Sequence, residues 1–248
     1  MIDVRLLVSI LTAAAGPWLV AKFVPAGKRQ TVDGDALMLS ALTGLVAARL
    51  VFVILEDPAS FGRLGDLLII RSGVEFWPGL AVGVMTLSVH ARRRSLSILH
   101  VLSVAAPLFL VGYGGYEATC AIREGCFGPS SPIGLTPPGF AAAVFPVGWA
   151  VAAVSLAAGL GLRRHDLPDL RVLLIALTVV ATARAVAGFS LPRVGSGLTR
   201  PHLESLSLVA VALAAQLGMG ALSRHTTSSR TGPAGSSSPT DPDPRKGP

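Results

Sequence analysis

Seven apolar stretches, each close to the ~20 residues that cross a bilayer, divide this 248-residue chain. They cover about 5–24, 35–55, 74–91, 95–114, 140–162, 170–190 and 203–222. Such stretches leave little choice of fold. Backbone N–H and C=O groups find no partners in lipid, so each stretch has to satisfy its own as a helix. The expected architecture is an all-α polytopic membrane protein whose seven transmembrane helices occupy residues 1–222. Charged residues make up only 14% of the chain and hydrophobic ones 51%, whereas soluble domains are about a quarter charged. Glycine and alanine recur in every stretch, and small residues let membrane helices approach closely. Thr12-Ala-Ala-Ala-Gly16 is a small-residue patch, but the apolar run continues past it to Val24. Residues 5–24 therefore read as a retained first span rather than a cleaved leader.

The net charge of +7 invites a nucleic-acid reading, but the distribution of the charge opposes it. Lys28 and Arg29 follow the first span, and Arg92, Arg93 and Arg94 follow the third. Arg163, Arg164 and Arg171 follow the fifth, and Arg224, Arg230, Arg245 and Lys246 follow the seventh. All fall on one side of the expected bundle. Positive loops stay in the cytoplasm, which puts the N-terminus outside and the C-terminus inside. Residues 223–248 are Ser-, Thr-, Gly- and Pro-rich and read as a disordered cytoplasmic tail. No internal repeat is visible, which weighs against a transporter built from inverted halves.

The stretch Gly112-Tyr-Gly-Gly-Tyr-Glu-Ala-Thr-Cys-Ala-Ile-Arg-Glu-Gly-Cys-Phe-Gly128 ends the fourth span on the outward side. It holds both tyrosines and both cysteines of the chain, with Glu117 and Arg123. Arg49 and Arg184 lie inside the second and sixth spans. Arginine at membrane depth has to meet an acid, a phosphate or water, because lipid tails satisfy none of its donors. One reading is structural, with each arginine reaching outward or pairing with Glu117 or Glu75. The other has both converge on a phospholipid head group, whose oxygens suit the guanidinium fork. Cys120 and Cys126 admit a disulfide outside the cytoplasm or two buried thiols. On one helix, positions six apart point about 240° from each other, which favours the thiols. Two cysteines make neither a disulfide scaffold nor a four-cysteine zinc site. His90, His100 and His165 sit in or beside basic connections and read as interfacial.

The order of these segments resembles the prolipoprotein diacylglyceryl transferase family. Leu42-Thr-Gly-Leu-Val-Ala-Ala-Arg-Leu-Val-Phe-Val53 is similar to the family's Gly-Ala-Arg-Leu-Gly-Tyr-Val segment. Gly73-Val-Glu-Phe-Trp-Pro-Gly-Leu-Ala-Val-Gly83 is similar to Gly-Met-Ser-Phe-His-Gly-Gly-Leu-Ile-Gly-Gly, and Arg92-Arg-Arg94 follows as the basic triplet. Ala106 to Gly128 resembles the family signature Gly-Arg-Ile-Gly-Asn-Phe-Ile-Asn-Gly-Glu. Phe145-Pro146 stands where the family has His-Pro. The resemblance implies a bacterial plasma (inner) membrane enzyme. It would move diacylglyceryl from phosphatidylglycerol to the cysteine of a lipoprotein signal peptide, releasing glycerol 1-phosphate. It implies membrane phospholipid and prolipoprotein signal peptides as partners, no nucleic acid, and no cofactor or metal. By position, Arg184 and Glu117 are the candidate catalytic residues. Arg49, Arg123, Gly79, Gly83 and Gly128 are the candidate lipid-binding ones. Glu117 replaces the signature arginine, Cys120 and Arg123 the two asparagines, and Trp77 and Phe145 two histidines. Those departures leave a second expectation open: a catalytically inactive paralogue that binds phospholipid or a partner protein.

Overall fold

A computed structural model describes residues 4–24, 33–56, 58, 75–123, 126–137, 139–190 and 200–228, with side chains omitted at 6, 7, 200, 201 and 219–228. Seven helices run through these residues: α1 Val4–Phe23, α2 Gly34–Glu56, α3 Phe76–Arg93, α4 Ile98–Ala118, α5 Val147–Arg164, α6 Asp169–Ser190 and α7 Arg200–Ser228. Between α4 and α5 the strands β1, Phe127–Leu135, and β2, Val144–Pro146, form an antiparallel pair. The protein is thus mostly helical rather than wholly so. The expected fifth span began at residue 140, but the helix begins only at Val147, because 144–146 are extended and Pro146 is the residue that caps the helix start. Proline lacks the N–H that a helix interior uses and is at home at such a start.

Three helices are long and apolar enough to cross a membrane: Gly34–Glu56, Ile98–Ala118 and Asp169–Ser190. Two shorter apolar helical stretches, Val8–Phe23 and His202–Gly218, accompany them. The remaining two, α3 and α5, have 18 residues each and carry basic side chains in their last turns. The multi-pass membrane character of the fold rests on these helices. Helix α7 continues to Ser228, past residue 223 where a tail is expected. Residues 229–248, with Arg230, Arg245 and Lys246, lie outside the described residues, as do Lys28, Arg29, Gly73 and Val74.

Helix α4 is the centre of the bundle. It packs against α1, α3, α5 and α6, while α2 pairs with α3 and α7 with α6. Its buried residues run from Val101 to Gly115 and so cover every side of the helix, as expected of a helix apolar all round. Close approach is built from small residues. A Cβ on Gly79 would lie 2.7 Å from the Ala48 Cβ and 2.8 Å from the Gly44 carbonyl oxygen, so α2 and α3 meet backbone to backbone. Hydroxyls add polar ties along that seam, with Ser40 donating to the Gly83 carbonyl at 2.7 Å and Thr43 and Thr86 3.0 Å apart. The apolar core proper lies between α4, α5 and α6, around Leu110, Val147, Val151, Val172 and Val180.

Polar contacts pin both ends of the bundle. At one end Arg163, 4% exposed, donates to the carbonyls of Val24 at 2.9 Å and Ala21 at 3.1 Å, closing the last turn of α1. Basic side chains suit a helix C-terminus, where carbonyls lack partners and the dipole is negative. At the same end Asp169 receives the buried Ser103 hydroxyl at 2.6 Å and lies 3.2 Å from the His100 ring, joining the starts of α4 and α6. His100, expected to be simply interfacial, is therefore paired. The other end of the bundle carries the cavities.

Candidate active site

Helix α4 carries the site's central residue. Tyr113 faces α6, and its hydroxyl contacts the side chains of both Glu117 and Arg184. A hydroxyl can accept from a guanidinium and donate to a carboxylate at once, so Tyr113 couples the acid of α4 to the arginine of α6. Two such bonds in series place the acid and the guanidinium roughly 6 Å apart. Glu117 stands one helical turn from Tyr113, which is why the same face of α4 presents both. Arg184 also lies over the Phe76 ring, 4.2 Å from its centroid. Phe76 opens α3 and meets Trp77, Phe109 and Tyr113 at centroid distances of 5.0, 6.3 and 5.5 Å. A guanidinium over an aromatic face is attracted by the ring quadrupole. Arg184 thus has two fixed neighbours and is held in place by them.

Two cavities meet at Arg184 and Tyr113. The smaller, about 150 Å³, is lined by Glu117, Cys126, His202 and Ser205 besides that pair. The larger, about 470 Å³, is aromatic and apolar, with Phe76, Phe109, Gly112 and Tyr116 in its wall. At roughly 30 Å³ per water, the first has room for a polar fragment. The second is in the size range of ligand pockets. A cationic centre between a small polar space and a larger apolar one suits an amphiphile with an anionic joint.

The other sequence candidates fall elsewhere. Arg49 is 5% exposed and lies over the Phe52 ring, 5.6 Å from its centroid. It lines neither cavity. It neighbours Ala48, whose carbonyl accepts from the Glu75 N–H at 3.1 Å just before α3. Arg123 folds back over the Tyr116 ring at 3.8 Å and donates to the Tyr116 hydroxyl at 2.6 Å. From there its charge acts on Glu117 together with that of Arg184. Gly79 and Gly83 belong to the α2–α3 seam, and Gly128 packs under Val147, whose Cγ2 a Cβ there would meet at 2.7 Å. These three glycines make close packing, and the cavity walls come from other residues. Trp77 sits against Phe76, and Phe145 lies in β2.

The cysteines correct a sequence expectation. Cys120 and Cys126 are joined in a disulfide, with Cα atoms 5.9 Å apart. The helical spacing that opposed a bridge does not apply, because α4 stops at Ala118 and the chain turns through 119–123. Cys126 takes up a left-handed conformation with φ 64°, which turns it back toward Cys120. The carboxylate of Glu117 and both sulfurs lie within 4.8 Å of one another, but bridged sulfurs are not thiolates and do not form a metal site.

Tyr113, His202 and Ser205 line the smaller cavity although the sequence pattern does not single them out. Tyr113 lay within the Gly112–Gly128 stretch, where the charges drew attention first. His202 had one available signal: a buried imidazole, 5% exposed, within an apolar segment, which is unusual unless it has a use.

Comparison with known proteins agrees with this arrangement. The family model described as prolipoprotein diacylglyceryl transferase matches residues 6–217, a range that includes every residue named in the two cavities. A search of the curated proteins finds no match. With the match running through all seven helices, the chain belongs to the prolipoprotein diacylglyceryl transferase family.

Proposed function

We propose that this protein transfers a diacylglyceryl group from phosphatidylglycerol to the cysteine thiol of a lipoprotein signal peptide at the bacterial plasma membrane. Arg184 carries the reading. It joins the two cavities, is fixed by Phe76 and Tyr113, and presents donors where a phosphodiester would lie. In transfer, the C–O bond between glyceryl and phosphate breaks and charge grows on the departing phosphate. Preorganised donors aimed at such charge lower the barrier more than they stabilise the bound lipid. The aromatic cavity would take the apolar start of the diacylglyceryl unit and the smaller one the head group. In this reading the protein has seven spans, with the N-terminus outside and the site toward the outer leaflet.

Glu117 favours a second reading, a family member that binds phospholipid or a partner without turnover. An acid within roughly 6 Å of Arg184 competes with a phosphate for the same donors. At an effective dielectric near 20, a charge pair at 4 Å is worth ~4 kcal/mol, enough to decide between the two. Complementation of a strain lacking its own transferase separates them. Growth with lipidated lipoproteins supports transfer, and no rescue despite normal membrane levels supports the non-catalytic reading.

A further inference from the structure

We infer that His202 is the group that takes the proton from the acceptor thiol. The inference rests on the transfer reading and supplies the base that Trp77 and Phe145 cannot. The nucleophile in a thiol transfer is the thiolate, and a free thiol has a pKa near 8.5. At neutral pH a nearby base is therefore needed. Among the side chains of the smaller cavity, Tyr113 and Glu117 are tied to each other and to Arg184. A proton moved onto or off either would undo the contact that holds the guanidinium. The imidazole is the remaining side chain there with an acceptor nitrogen of suitable range.

The packing of α6 and α7 places it. Gly188 follows Arg184 by one helical turn, so the two share a face. A Cβ on Gly188 would stand 2.8 Å from the His202 Nε2 and 3.1 Å from its Cδ2, so the ring lies directly against the backbone there. The Phe189 ring, 4.8 Å from the imidazole, supports it from the side. Ser205 lies on the same face of α7 one turn on, lining the same cavity. The imidazole and the guanidinium thus enter one space of about 150 Å³ from successive turns of contact. The charged and titratable groups around it are Arg184 from α6, Glu117 and Tyr113 from α4, and Glu204 beside it on α7.

The step balances as follows. A nitrogen of His202 accepts the thiol proton. The sulfur electron pair attacks the glyceryl carbon bonded to the phosphate oxygen, a C–S bond forms, and the C–O bond breaks. Its electron pair leaves on glycerol phosphate, whose growing charge Arg184 receives. The imidazolium then passes its proton to water or to that phosphate, and the base is restored.

The test uses the full chain in phosphatidylglycerol proteoliposomes with a cysteine-bearing signal peptide, reading glycerol phosphate release against pH. His202→Gln is expected to lower kcat by about 100-fold or more, to leave KM for the lipid unchanged, and to remove the acidic limb of the pH–rate profile. Gly188→Ala, which presses a methyl against the ring, is expected to lower kcat in the same direction with the imidazole still present. A His202→Gln enzyme with kcat within about threefold of wild type and an unchanged profile overturns the inference alone. Lack of release by the wild type overturns the transfer reading and this inference with it.

Discussion

At the scale of single residues, the site depends on how two charges of opposite sign share one tyrosine hydroxyl. Arg184→Gln removes the phosphate donor and keeps the volume. It is expected to cost at least about 100-fold in transfer rate, the usual loss when one such donor is deleted, measured as lipid attached to peptide by mass spectrometry. Arg184→Lys is expected to restore little, because an ammonium lacks the planar fork that both stacks on Phe76 and meets two oxygens. Tyr113→Phe leaves the ring packing intact but frees Glu117 from Arg184. It is expected to shift lipid KM more than the fold, read from kinetics alongside an unchanged melting temperature. Arg184 was legible in the sequence because arginine is costly at membrane depth, and its partner acid was legible for the same reason. Tyr113 and His202 were not, because tyrosine and histidine are only mildly unfavourable at a membrane edge and carry no comparable signal.

At the scale of elements, the helices were legible to within a few residues because a bilayer-length apolar run is a feature of composition as much as of pattern. The hairpin was not. Phe127-Gly-Pro-Ser-Ser-Pro-Ile-Gly-Leu135 has neither alternation nor β-branched enrichment, and its pairing with β2 is irregular in register. The disulfide followed from the same gap, since its geometry depends on where α4 ends. That bridge ties the turn after α4 to the start of the hairpin, with Cys120 1% exposed against Gly148. Loop-closure entropy over so short a separation gives about 2 kcal/mol. Cys120→Ser with Cys126→Ser is therefore expected to lower thermal stability in detergent by that order and to loosen the wall of the smaller cavity. Gly79→Leu acts on a different element. With the Ala48 Cβ only 2.7 Å from a Cβ there, α2 and α3 have to separate. The expected cost is about 1–3 kcal/mol, visible as a lower melting temperature while Arg184 itself is untouched.

At the scale of the whole molecule, the central helix, the glycine seams and the polar ties at the two ends produce a bundle with its cavities at one end. Arg163 on α1 and Asp169 on Ser103 and His100 hold the opposite end shut. The basic connections on that closed side give the orientation. Reporter fusions are expected to place His165 in the cytoplasm and Phe140 outside. The family assignment and the cavity geometry converge on one claim, that Arg184 governs chemistry on a phospholipid. The most direct measurement is lipidation of a cysteine-bearing signal peptide by the purified protein in phosphatidylglycerol proteoliposomes, wild type beside Arg184→Gln. The account predicts a diacylglyceryl-modified peptide and equimolar glycerol phosphate from the wild type, with both reduced to background in the variant. An unmodified peptide with folded wild type, or equal modification by the two proteins, contradicts it.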